Sequence, residues 1–178
     1  MAKYEKALSE SGLWRFNLLI VVVLGTHELP FNRLLEEIEK EIIAGTIQEE
    51  VLVQAGHTKY ESNLMNIFDF TTYEHMAELY NKASLIITHG GTGSITMGMK
   101  MGKKVIAVPR LIKYGEHNDD HQLEIVKQFY ETGHILYWNE PLKFRDVLQQ
   151  VAHFQPTEFH SGNKKILSLL KDFINHQA

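Results

Sequence analysis

Cysteine is absent from all 178 residues. Its absence excludes disulfide scaffolds, thiolate metal sites and cysteine nucleophiles together. Proline is scarce, with four residues, so breaks between elements must come from the 12 glycines and from polar loops. Long apolar runs are also missing. The longest, residues 18–24, falls far short of the ~20 residues a membrane-spanning helix needs. Any membrane association is therefore expected to be peripheral or supplied by a partner. No excess of positive charge exists either: the formal net charge is −4 and the pI about 6.2. That composition excludes a nucleic-acid binder held by bulk electrostatics. What remains is a chain that is 44% hydrophobic, enough for one α/β domain with a real core and too short for two full-sized ones.

Residues 1–17 read as a mixed, mostly polar lead-in of unassigned role. They lack the cationic start, long apolar stretch and small-residue cleavage site of a signal peptide. Residues 18–178 read as one domain. Short β-branched runs at 18–24, 51–54, 66–70, 84–88, 105–108 and 134–137 alternate with helical periodicities. The helices are expected at 31–43, 73–82, 94–101, 121–131, 142–151 and 164–175. Strands alternating with helices imply parallel crossovers, hence an α/β fold with a doubly wound, mostly parallel sheet. Such sheets bind ligands at the carboxyl ends of their strands. Three polar loops fall there, at residues 25–30, 88–94 and 110–122, which points to one composite site.

The strongest local signal is Thr88-His89-Gly90-Gly91-Thr92-Gly93-Ser94, between a strand and a helix. Glycine lets a backbone approach a ligand closely, and a helix start offers unpaired N–H groups and a positive dipole end, which suit a phosphate. Two familiar phosphate motifs fail. Gly93 and Gly98 have P-loop spacing, but Met99 stands where lysine is required; Gly91 and Gly93 begin a dinucleotide fingerprint that Thr96 ends. In the third loop Asp119, Asp120 and Gln122 suit sugar hydroxyls, while Asn118 or Asp119 also suits a helix cap. Arg110, Lys113 and Lys103 or Lys104 are the cations expected to balance phosphate charge. The histidines include His117 and His121, four apart in a loop, but no His-Glu-x-x-His and no Asp-x-Asp occur. No metal and no cofactor are expected.

Three segments in this order resemble a known family. They are Gly25-Thr26-His27-Glu28-Leu29-Pro30-Phe31-Asn32-Arg33, the loop His89 to Ser94, and Lys103 to Pro109 running on to Glu116-His117-Asn118-Asp119-Asp120-His121-Gln122. They are similar to exopolysaccharide and capsular polysaccharide glycosyltransferase subunits that correspond to the C-terminal half of glycosyltransferase family 28. The resemblance covers about residues 18–140. It implies the donor-binding, Rossmann-like half of a GT-B enzyme: a two-component inverting transferase moving a hexose or hexuronic acid from a UDP-sugar to a lipid-linked saccharide. A membrane-anchored, acceptor-binding subunit would complete the site and hold this chain at the inner, cytoplasmic face of the plasma membrane. Carried over residue by residue, Gly25, Thr26, His27 and His89 to Ser94 approach the diphosphate, and Asp119, Asp120, His121 and Gln122 the sugar. Arg110 adds charge, and uracil sits near Tyr73. The general base is expected on the partner, with His27 the candidate within this chain. One departure matters: where the single-chain relatives place a ribose-binding glutamate, eight residues after His89, this chain has Met97, so either Thr96 or a backbone carbonyl substitutes or ribose recognition is weaker here. A non-catalytic nucleotide-sugar-binding regulatory domain would share every one of these loops.

Overall fold

The structure is a computed structural model that describes residues 18–160. The lead-in at 1–17 and the helix expected at 164–175 lie outside those residues. Six strands are present: β1 (Leu19–Val23), β2 (Glu50–Gln54), β3 (Asn66–Phe68), β4 (Leu85–His89), β5 (Lys104–Val108) and β6 (Leu136–Tyr137). Among the described residues there are also five α-helices: α1 (Asn32–Ile43), α2 (Tyr73–Lys82), α3 (Thr92–Lys100) and α4 (His121–Glu131) lie between strands, and α5 (Phe144–Gln150) follows β6. The sheet order is β3-β2-β1-β4-β5-β6, and every pair is parallel, with Val22 opposite both Val53 and Ile87. This is the expected doubly wound, Rossmann-like arrangement. Its strand order reverses between β1 and β4, where a crevice opens at the carboxyl edge.

Both faces of the central strands are buried, which is why they read as continuous apolar runs rather than alternating ones. Ile20 and Val22 face one layer with Leu34, Leu35 and Ile38 of α1 and Phe144 and Val147 of α5. Val21 and Val23 face the other, with Leu79 and Tyr80 of α2, Ile95 and Met99 of α3, and Val126 of α4. Thr72 starts α2 by accepting a hydrogen bond from His75 N at 3.2 Å, as an N-cap side chain does.

Two details differ from the sequence reading. Strand β4 continues to His89, and α3 begins at Thr92, so Gly93 and Ser94 lie in the first helical turn rather than in a loop. A short 3-10 turn occupies Ile112–Tyr114. Strands β2 and β3 are joined by residues 55–65 with no helix between them, as the sequence reading also had it.

Helix α3 packs so closely on the sheet that a Cβ at Gly98 would lie 2.7 Å from Val105 Cγ2. Gly98→Ala is therefore expected to cost about 1–3 kcal/mol through overpacking, read as a lower denaturant midpoint at unchanged m-value; an unshifted midpoint would show that α3 yields.

Candidate functional site

The loop after β1 begins at Gly25, whose φ of +78° is a conformation that side chains rarely adopt. The carboxamide of Gln54, at the end of β2, grips it on both sides. Gly25 N donates to Gln54 Oε1 at 3.1 Å, and Gln54 Nε2 donates to Gly25 O at 3.0 Å and to Asp69 O at 2.9 Å. The first loop is thereby pinned to the chain leaving β3. The sequence reading gave Gln54 only as a strand end; its signal was a polar residue closing a buried strand.

Arg110 has no exposed surface. Its Nη1 donates to Leu29 O at 2.7 Å and Glu116 O at 3.1 Å, and its Nη2 to Leu24 O at 2.9 Å. Burial pulls its pKa down to about 10, against the pull of Glu116, so it stays charged at neutral pH. The expectation that Arg110 meets phosphate directly is corrected: its guanidinium is turned inward and spent on carbonyls. Glu116 is engaged elsewhere, by Arg33 Nε and Nη2 at 2.8 Å each and by Leu111 N at 3.1 Å. Arg33 itself lies under the Tyr114 ring, 4.6 Å away, and beside Trp138 at 5.2 Å.

Lys103 and Lys104 are a second correction. Lys104 starts β5 and Lys103 precedes it, so both lie at the amino-terminal edge of the sheet, opposite the loops. Lys103 Nζ donates to Asn81 O and Ala83 O, and Lys104 Nζ to Val151 O. Lys113 is exposed, with Nζ 4.4 Å from the centre of the Tyr114 ring.

Of the four residues expected at the sugar, Gln122 is separated from the others. It is buried, and its Oε1 accepts from Gly90 N at 3.0 Å and Arg110 N at 3.1 Å, fastening the loops after β4 and β5 to each other. Asp119, Asp120 and His121 are exposed. Asp120 Oδ1 accepts from Ile112 N at 2.9 Å and Asp119 Oδ1 from His121 N at 3.0 Å. Asp119 thus meets the first residue of α4, but the cap position expected at Asn118 or Asp119 falls on Asp120, whose side chain makes no capping bond.

His89 is wedged between glycines. A Cβ would come within 2.6 Å of its ring from Gly25 and 2.2 Å from Gly91, and Nδ1 lies 3.3 Å from Val23 O. Burial, more than Arg110, His117 or His27, lowers its pKa to about 4. His89 is neutral near pH 7 and brings no positive charge to a phosphate. Gly91 accordingly serves the histidine ring, whereas a Cβ at Gly93 would meet nothing within 4 Å.

Beside the strand-order reversal, the loop after β1, the chain leaving β3 and the first turn of α3 border an open cleft of about 330 Å³. Gly25, Thr26, Tyr73, Gly93 and Ser94 line it, as does Met97, whereas Thr92, Gly90, His89 and the residues after β5 do not. Its wall continues through Phe70, Met76 and Tyr80, and no charged side chain or histidine lines it among the described residues. The start of α3 supplies backbone N–H groups at one end; aromatic and thioether surface lines the other. Such a cleft suits a ligand with an anionic end and a flat apolar end. Thr96 Oγ1 donates instead to the carbonyls of Thr92 and Gly93, at 2.8 and 3.1 Å. A pocket of about 460 Å³ beside Lys103 and Phe159 opens away from all three loops.

A profile of the glycosyltransferase family 28 C-terminal domain matches residues 19–177. The UDP-N-acetylglucosamine transferase subunit ALG13 of Yarrowia lipolytica is 26% identical over 132 residues, which is 68% of this chain and 65% of that protein. The human subunit of that name is 29% identical over 111 residues, 61% of this chain and 8% of that protein. The chain therefore matches less than two thirds of the length of either relative. Among solved structures, the solution structure of ALG13 has a TM-score of 0.54 at 20% identity, covering 86% of this chain and 94% of that one. MurG of Acinetobacter baumannii has 0.53 at 20%, covering 85% and 43%. The calicheamicin glycosyltransferase CalG4 has 0.57 at 10%, covering 79% and 34%. At these identities the structural likeness is one of fold.

The enclosed His89 predicts a pH effect. In the unfolded chain it takes up a proton near its ordinary value of 6.5, in the folded chain only near about 4. The unfolded state thus binds more protons across that window, so this contribution to stability is complete above about 6.5 and is lost as pH falls towards about 4. His89→Phe should flatten that part of a curve of denaturant midpoint against pH; an unchanged slope would assign it to other groups.

Proposed function

The chain belongs to the glycosyltransferase family 28 C-terminal domains, and on that premise we propose that it is the donor-binding subunit of a two-component inverting glycosyltransferase. In this reading it moves a hexose or hexuronic acid from a UDP-sugar to a lipid-linked saccharide, in exopolysaccharide or capsule synthesis. The observation that carries the proposal is the cleft at the strand-order reversal, walled by Tyr73, Met76 and Met97 and closed by Gly93 and Ser94 at the start of α3. The ALG13 relatives, named as UDP-N-acetylglucosamine transferase subunits, support both a UDP-sugar donor and a multi-component enzyme. They also add UDP-N-acetylglucosamine to the candidate donors.

The chemistry follows from the arrangement. Transfer needs the departing UDP stabilised and a proton removed from the acceptor hydroxyl. The first turn of α3 points its N–H groups and dipole at the leaving diphosphate. Methionine at position 97 offers the ribose hydroxyls no strong acceptor, so in this proposal they are met by backbone carbonyls or water. His27, kept from protonation chiefly by burial and then by His117 and Arg110, is neutral near pH 7 and is the candidate base within this chain. The cleft is open on the side where an acceptor would approach, and we assign the acceptor site, and with it the principal base, to a membrane-anchored partner. No helix of the described residues is long and apolar enough to cross a membrane, and the partner would hold this chain at the cytoplasmic face.

The decisive test is a transfer assay with the chain alone, the partner alone and both mixed. It would use a lipid-linked acceptor and a panel of UDP-glucose, UDP-glucuronate and UDP-N-acetylglucosamine. Turnover is expected only in the mixture, since orientation and proton transfer are worth many orders of magnitude in rate. Robust turnover by the chain alone overturns the split-enzyme reading, and donor binding that no partner converts to turnover favours a regulatory domain. Calorimetry should show UDP bound without metal, with GDP and NAD weaker. Gly93→Val should remove UDP binding at an unchanged unfolding midpoint, because its Cβ points into open space; retained affinity would show that α3 does not meet the ligand.

A further inference from the structure

The two ends of the cleft differ in chemistry. Gly93 and Ser94, in the first turn of α3, form one; Phe70, Tyr73 and Met76 form the other. Met97 lines the cleft one helical turn, roughly 6 Å, further along α3 than Gly93. A nucleoside diphosphate with its phosphates on that first turn and its base against the aromatic end therefore carries its pentose past Met97. The Met97 side chain packs, with Met76, against the core layer on that face of the sheet, and its thioether is only a weak acceptor.

The stronger acceptors around it are already engaged. Thr92 O and Gly93 O accept from Thr96 Oγ1 at 2.8 and 3.1 Å, and Ser94 O accepts from the Tyr80 hydroxyl at 3.4 Å. Across the cleft, Gly25 O and Asp69 O accept from Gln54 Nε2, Gln54 Oε1 accepts from Gly25 N, and Thr72 Oγ1 from His75 N. What remains among the lining side chains is neutral hydroxyl, on Thr26, Thr71, Tyr73 and Ser94, in a cleft open to water. The buried side-chain atoms left without a partner belong to Arg33, Arg110 and Asn139, and none of these residues lines the cleft. A site that binds a hydroxyl through a dedicated polar group rejects the analogue lacking it by about 10⁴–10⁵-fold, because that group is then left unpaired. Among the described residues no such group faces this cleft.

We infer that the nucleoside part of the cleft does not read the 2′-hydroxyl, and that 2′-deoxynucleoside diphosphate sugars are bound on equal terms with UDP-sugars. The inference rests on the cleft being the donor site, and it widens the donor class of that site. Met97 is the residue that sets it: a thioether packs against a methylene as readily as against a carbon bearing a hydroxyl. A ribose hydroxyl left to water gains nothing by entering, and its loss costs nothing. Phe70, Tyr73 and Met76 likewise offer apolar surface to the 5-methyl group of thymine.

Calorimetry on the full chain tests this with UDP against dUDP, and UDP-glucose against dTDP-glucose. Within each pair the dissociation constants should agree within about threefold, less than the worth of one typical hydrogen bond; a larger preference for the ribose compound overturns the inference. Met97→Glu places a strong acceptor beside the pentose and should raise the ratio of the dUDP to the UDP dissociation constant by about tenfold, the worth of one hydrogen bond to a charged group. Repulsion between that carboxylate and the diphosphate weakens both ligands alike and cancels in the ratio. Met97→Leu, which keeps the wall apolar, should leave the ratio where it is. An unmoved ratio in folded Met97→Glu shows that the pentose lies elsewhere and overturns the inference; the ratios of the unaltered chain decide the matter even if that variant does not fold. If the unaltered chain binds neither UDP nor dUDP, the donor-site reading falls and this inference with it. If it binds UDP and rejects dUDP, only this inference falls.

Discussion

Arg110 places a full positive charge where no surface is left to it, and the carboxyl edge of the sheet is arranged to satisfy that charge. Its two outer nitrogens reach Leu24 at the end of β1, Leu29 in the following loop and Glu116 in its own loop. An isolated buried cation is too costly to persist, so these carbonyls must stay converged for the fold to exist. The nearest carboxylate, Glu116, is taken bidentately by Arg33, and Arg33 in turn lies against Tyr114 and Trp138. One buried network therefore fixes the loops after β1 and β5 relative to each other. The cleft inherits its shape from that constraint.

Two carboxamides complete the scaffold on either side. Gln54 holds the Gly25 peptide from the β2 side, and Gln122 joins Gly90 to Arg110 from α4. Gln54 acts as both donor and acceptor and Gln122 as acceptor, and neither adds charge. A carboxylate could accept at either place but could not also donate, as Gln54 does to two carbonyls. The enclosed His89 ring fills the space between Gly25 and Gly91, so these glycines answer to packing inside the protein before any ligand arrives.

The fold was largely legible because its strands are buried on both faces and separated by well-marked helical periodicities. Residues 18–24 read as a central strand for that reason, and β1 occupies Leu19–Val23. The convergence of three loops followed from parallel strands alone. The direction a side chain takes within a loop was not legible. Arg110 and Gln122 have the chemistry of ligand-binding residues, and only the tertiary contacts of Leu24, Leu29 and Gly90 turn them inward. Lys103 and Lys104 looked close to the site along the chain, but residues at the start of β5 lie a full strand length from its carboxyl end. The 3-10 turn at Ile112–Tyr114 carries no strong local signal; Glu116, held by a residue 83 positions away, braces it through Leu111.

The cleft's lining, without a charged side chain, has a consequence for the speed of capture. Sites that collect anions quickly do so by projecting a positive field into solvent, which raises encounter rates by about 10–10³-fold at low salt. Here the strongest nearby cation is sealed in the interior, and the chain as a whole carries a formal charge of −4. Encounter with an anionic ligand is then governed by diffusion and by the width of the opening, with little electrostatic guidance. Its rate should respond weakly to ionic strength, and any acceleration must come from charge that another surface brings to the rim.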